Sequence, residues 1–71
     1  GEEINVLNGI SDSNWKIINN IIMEVNDVEN NLEKAKTILL NNGFKNIQTQ
    51  KEKGFEKTKL TNIYASKTLN N

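Results

Sequence analysis

The sequence predicts a small α/β fold: a three-stranded mixed sheet with one long helix packed on it and one or two short helices at the N-terminus. Three observations carry this. An apolar stripe at helical spacing runs from Val28 to Leu39 between an acidic cap and a glycine. A nearly unbroken apolar run, Ile21-Ile22-Met23 and Val25, precedes it, and a β-prone segment from Leu60 to Ser66 closes the chain. With 71 residues there is material for one domain, 1–71. A chain of about 60 residues buries only about 60% of its unfolded surface, so its core is a single layer of helix on sheet.

Taken in order, Glu2 to Ile10 places Ile4, Leu7 and Ile10 on one helical face, with acids in the first turn and Gly9 as the stop. Ser11-Asp12-Ser13 is a turn and cap cluster, and Trp15-Lys16-Ile17 forms a further helical turn whose tryptophan covers the edge of the core. Asn20 to Asn26 is a strand. Its continuous apolar run is the pattern of a strand covered on both faces, although a domain this small has material to cover one.

The main helix is expected from Val28 to Asn42, with Val28, Leu32, Ala35 and Leu39 as its stripe and Ile38 and Leu40 beside it. Asp27 stands at the N-cap position, and Glu29 and Glu33 favour the positive end of the helix dipole. Gly43 supplies a left-handed residue past the C-terminus, and Phe44 follows to make the apolar contact that closes such caps. Lys45 to Lys51 alternates around Ile47 and Thr49 as an edge strand guarded by lysines. A charged connection pivoting on Gly54-Phe55 leads to the last strand, antiparallel to its predecessor, and Thr68 to Asn71 reads as a frayed end. The strand–helix–strand crossover is expected to be right-handed.

Composition narrows the function. There is no cysteine, which excludes disulfides and thiolate chemistry, and no histidine, which removes the commonest general base and metal ligand. Mean hydropathy is −0.64, no apolar run approaches the roughly 20 residues of a membrane span, and no secretory leader pattern is present, so a cytoplasmic, non-membrane protein is expected. Residues 1–30 carry six acids against one lysine, and residues 31–71 carry eight lysines against three acids; side by side in a fold, these halves compensate. All nine basic residues are lysine. Without the planar fork of arginine, nucleic acid is not an expected partner.

Several segments together resemble FkbM-type class I methyltransferases. Glu2 to Ile10 resembles the acidic stretch and short helix after their fourth strand, and Ile21-Ile22-Met23-Glu24-Val25-Asn26-Asp27 resembles their fifth strand. Leu39-Leu40-Asn41-Asn42-Gly43-Phe44 is similar to the Leu-Leu-x-x-x-Gly-Phe that ends the next helix, and Asn62-Ile63-Tyr64-Ala65 to the Asn-x-Tyr-Ala of the terminal strand. The resemblance implies a sheet ordered first, last, middle. It also marks departures. Asn26 stands where histidine is frequent, and the glycine-rich turn that serves S-adenosylmethionine has no counterpart here. The resemblance therefore implies no cofactor and no catalysis in this chain, and a truncated unit excised from a larger bacterial non-ribosomal peptide or polyketide synthetase.

On that basis the expected function is a non-catalytic docking or spacer module. Its expected partners are neighbouring synthetase domains or a carrier protein, and the chain itself is a monomer or weak dimer. One alternative is the C-terminal half of a working S-adenosylmethionine-dependent methyltransferase; another is a free-standing binding protein. No catalytic or metal residues are assigned. Glu24, Asn26 and Asp27 sit at the C-terminal end of the first strand, where open α/β sheets place ligands, and with Tyr64 they are the candidate partner contacts. Their alternative reading is a helix cap with solvated neighbours and a half-buried strand tyrosine. Lys45, Lys51, Lys53, Lys57 and Lys59 could meet an acidic carrier helix or simply guard a sheet edge.

Overall fold

A computed structural model describes residues 2–68. Gly1 and residues 69–71, the greater part of the segment read as frayed, lie outside the described residues. The chain runs α1 (Glu2–Asn8), α2 (Asp12–Ile17), β1 (Asn20–Asn26), α3 (Asn31–Asn41), β2 (Asn46–Gln50) and β3 (Leu60–Ser66). The strands form one sheet in the order β1-β3-β2, and both ladders are antiparallel. β1 and β2 thus point the same way but never touch, because β3 lies between them. The Cα envelope measures 36 × 31 × 14 Å, the thickness of one helix layer on one sheet. No helix among the described residues is long and apolar enough to cross a membrane.

The local elements follow their sequence signals closely at the N-terminus. α1 ends where Gly9 donates back to Asn5 O and Val6 O at 3.0 and 3.2 Å, with Leu7 buried and Ile4 and Ile10 packed against the core. Ser11 caps α2 by accepting the Asn14 amide on its Oγ at 3.2 Å. Trp15, buried, packs edge-on against Phe44 with ring centroids 5.9 Å apart and planes at 70°, a geometry worth about 0.5–1.5 kcal/mol beyond area burial.

At 11 residues α3 is too short to be helical alone, since isolated helices under about 12–15 residues are marginal in water. It persists because Ala35 and Leu39 are fully buried against the sheet, with Leu32 and Ile38 packed at the margin. Its C-terminus closes as a Schellman motif. The Phe44 amide donates to Leu39 O at 3.0 Å and the Gly43 amide to Leu40 O at 3.1 Å, with Gly43 at φ 92°. That turn drives the Phe44 ring into the core, where no part of it is exposed.

The N-terminus of α3 differs from the sequence expectation. The helix starts at Asn31 instead of Val28, because Glu29 and Asn30 adopt left-handed φ values of 54° and 62° and break the helical path. Val28 and Glu29 therefore belong to a turn, closed by Val28 N donating to Asn26 O at 2.8 Å and Asn31 N to Val28 O at 3.0 Å. Asn30 holds the cap position without a side-chain bond, yet Asp27 still serves the helix: its Oδ1 accepts the Leu32 amide at 3.0 Å. Leu40, expected beside the stripe, is 58% exposed.

β1 also departs from the pattern of a doubly covered strand. Val25 is buried, Ile21 and Met23 are half-buried on the helix side, and Ile22 is 76% exposed on the other. Among the described residues the helices cover one sheet face and no element covers the second. β3 occupies the centre with Thr61, Ile63 and Ala65 buried, and edge strand β2 contributes Ile47.

Two substitutions test this packing. Leu39→Ala is expected to lower unfolding free energy by about 2–5 kcal/mol in urea denaturation; a loss under about 0.5 kcal/mol, typical of surface sites, would place the wrong face of α3 on the sheet. Gly43→Ala is expected to cost about 1–2 kcal/mol from the left-handed backbone alone, since the added methyl would meet nothing nearer than Lys67 Cε at 4.0 Å.

Candidate functional site

The bare sheet face is where the fold leaves side chains free. On it β1 places Asn20, Ile22, Glu24 and Asn26, β3 places Leu60, Asn62, Tyr64 and Ser66, and β2 places Asn46, Gln48 and Gln50. Cross-strand register aligns them in rows. Ile22, Tyr64 and Gln48 form one row, and Glu24, Asn62 and Gln50 the next. Tyr64, 38% exposed, thus stands mid-face between an exposed isoleucine and an amide. Beside it a shallow recess of about 250 Å³ is lined by Gln50, Lys51, Glu52, Lys53, Asn62 and Tyr64. There the Asn62 Nδ2 donates to Glu52 Oε2 at 2.9 Å.

The four residues singled out in the sequence separate into two groups. Glu24 and Tyr64 share the bare face one row apart, and Asn26 lies at its margin. Asp27 does not join them. Its carboxylate is turned to the first turn of α3, and its amide donates to Lys59 O at 2.8 Å. Asn26 is tied to the same connection through its carbonyl, which accepts the Val28 amide and, at 3.5 Å, the Nδ2 of buried Asn31. The two carboxylates thus look to different sides of the sheet and cannot chelate one cation. Among the described residues no group of three or more acidic, histidine or cysteine side chains could hold a metal.

The lysines also divide. Lys51 closes the β2–β3 connection, its Nζ donating to Thr58 O at 2.6 Å and Leu60 O at 3.2 Å. Lys67 Nζ donates to the Trp15 carbonyl and sits 5.3 Å from the centroid of the Phe44 ring, clamping α2 to the end of β3. Sequence reasoning missed both roles, because the Lys51 contacts cross an irregular loop without a repeating pattern and the Lys67 contact joins residues 52 apart. Lys45, Lys53, Lys57 and Lys59 are exposed, as is Phe55 at the pivot of the loop. A second open groove, about 550 Å³, runs between α1 and α3 and is lined by Ile4, Asn8, Asn30, Glu33, Lys34, Thr37 and Ile38.

This division is measurable as stability. Asp27→Ala is expected to cost about 0.5–2 kcal/mol, as for lost helix caps, while Glu24→Gln stays within about 0.5 kcal/mol of the parent. Equal losses in thermal unfolding would mean that Glu24 is also structural.

Comparison with known proteins gives a methyltransferase-like relationship. Methyltransferase 1 of Beauveria bassiana (strain ARSEF 2860) is 39% identical to this chain over 44 residues, which are 62% of this chain and 18% of that protein. The chain thus corresponds to less than a fifth of the relative it matches. Neither a protein-family model nor a solved structure matches it. Over that stretch the chain is similar in sequence to a methyltransferase.

Proposed function

We propose that this chain is a non-catalytic interaction module of methyltransferase descent, of the FkbM type, that presents its uncovered sheet face to a neighbouring domain of a larger synthetase. The observation that carries the reading is the bare face itself. On a body with one helix layer, Ile22 and Tyr64 lie side by side in solvent, framed by amides that can hydrogen-bond a partner. Aromatic and aliphatic side chains of this kind, ringed by polar groups, are the usual anchors of protein contacts. The exposed lysines of the β2–β3 loop lie at the same end as the recess beside Tyr64 and suit an acidic neighbour. The missing histidine and cysteine and the isolated glycines argue against chemistry or dinucleotide-type cofactor binding within the 71 residues.

Two measurements test the reading. Amide resonances of the chain are expected to stay unchanged with millimolar S-adenosylmethionine; saturable shifts would overturn the non-catalytic reading in favour of the C-terminal half of a working methyltransferase. In the polypeptide that natively carries this segment, hydrogen exchange around Ile22 and Tyr64 is expected to be slower than in the isolated chain. Equal rates would remove the docking role.

A further inference from the structure

Asparagine precedes glycine at two places in the chain, Asn8-Gly9 and Asn42-Gly43. An asparagine so placed carries its own reaction partner. Once its proton is lost to a base in water, the glycine nitrogen bonds to the side-chain Cγ, the carboxamide nitrogen leaves as ammonia, and a cyclic imide results. Water then opens the imide at one carbonyl or the other, leaving aspartate or isoaspartate. Glycine favours the step because it has no Cβ to obstruct the attacking nitrogen and its backbone turns freely. The reaction asks two things of the local structure: a free glycine N–H, and a carboxamide carbon lying against it.

At Asn42 the fold denies both. The Gly43 amide is engaged with Leu40 O at 3.1 Å as part of the closure of α3. The carboxamide is drawn the other way, back along the helix, where its Nδ2 donates to Ile38 O at 2.8 Å. At Asn8 only the first restraint exists. Gly9 N donates to Asn5 O and Val6 O at 3.0 and 3.2 Å, while the exposed Asn8 carboxamide has no hydrogen bond among the described residues.

We propose that Asn42-Gly43 is a latent self-modification site, shut by the closure of α3 and reactive only when the whole domain unfolds. The closure does not release alone. The Gly43 and Phe44 amides bond successive carbonyls, and the Phe44 ring is wholly buried against Trp15, so freeing the Gly43 amide withdraws Phe44 from the core. Nor do the products rebuild it. Aspartate removes the donor to Ile38 O and sets a carboxylate at the negative end of the helix dipole. Isoaspartate routes the main chain through Cβ, and the added carbon puts the Gly43 and Phe44 amides out of register with Leu40 O and Leu39 O. Unfolding that lasts long enough for the reaction therefore becomes irreversible.

Peptide mapping by mass spectrometry across a guanidinium chloride series at mildly alkaline pH tests this, with circular dichroism giving the unfolded fraction. Conversion at Asn42 is expected to follow the unfolded fraction at every denaturant concentration. Leu39→Ala, which leaves residues 42 and 43 untouched, is expected to accelerate it at least about tenfold in denaturant-free buffer and to leave it unchanged in full denaturant. A parent rate in buffer above the product of unfolded fraction and denatured rate would show that the end of α3 opens alone, and would overturn the coupling to global unfolding. No conversion in full denaturant would remove the site altogether. Asn42→Asp supplies one product directly, and its unfolding midpoint is expected to fall below the parent's. An unchanged midpoint would overturn the irreversible step.

Discussion

The burial of Phe44 behind the C-terminus of α3 is the constraint on which the other contacts converge. Gly43 in the left-handed region reverses the chain, and the Leu39 and Leu40 carbonyls hold that reversal by accepting the Phe44 and Gly43 amides. The ring that follows meets Trp15 from α2 on its edge and the Lys67 ammonium from the end of β3. Fully burying an aromatic side chain contributes on the order of 1.5–3 kcal/mol, a large fraction of what so small a domain retains. Three segments that share no local signal, α2, the end of α3 and the end of β3, are thereby fastened at one point.

From that single core the rest of the surface follows. Among the described residues eight buried apolar side chains fill the space between α3, the short helices and one face of the sheet, and no described element covers the other face. An apolar run in β1 that would suit a strand buried on both sides is consequently split, with Val25 in the core and Ile22 in water. Among the described residues the second face of the sheet thus presents side chains of all three strands outside the core.

The candidate site was legible in part. Tyr64 and Glu24 could be assigned to strands from local composition, and the resemblance implied the observed strand order, but the register that sets them one row apart pairs residues about forty apart in sequence. Asp27 was readable as a helix cap, and it does bond the first turn of α3. What could not be read was the left-handed turn at Glu29 and Asn30 that lets it reach five residues ahead. Lys51 was read as an edge guard or carrier contact and Lys67 drew no reading, because no local pattern reveals the carbonyls they bond.

By itself the sequence determined the elements: the stripe and glycine closure of α3, the serine cap of α2, and all three strands within a residue of their ends. These depend on periodicity and on hydrogen bonds between near neighbours, which a linear pattern records. The tertiary structure alone decided which apolar residues of β1 and α3 enter the core, that Glu24 and Tyr64 meet one row apart, and that Lys67 clamps α2 to the end of β3. Those outcomes are set by the balance of buried area among segments far apart in the chain, and a local pattern carries no term for it.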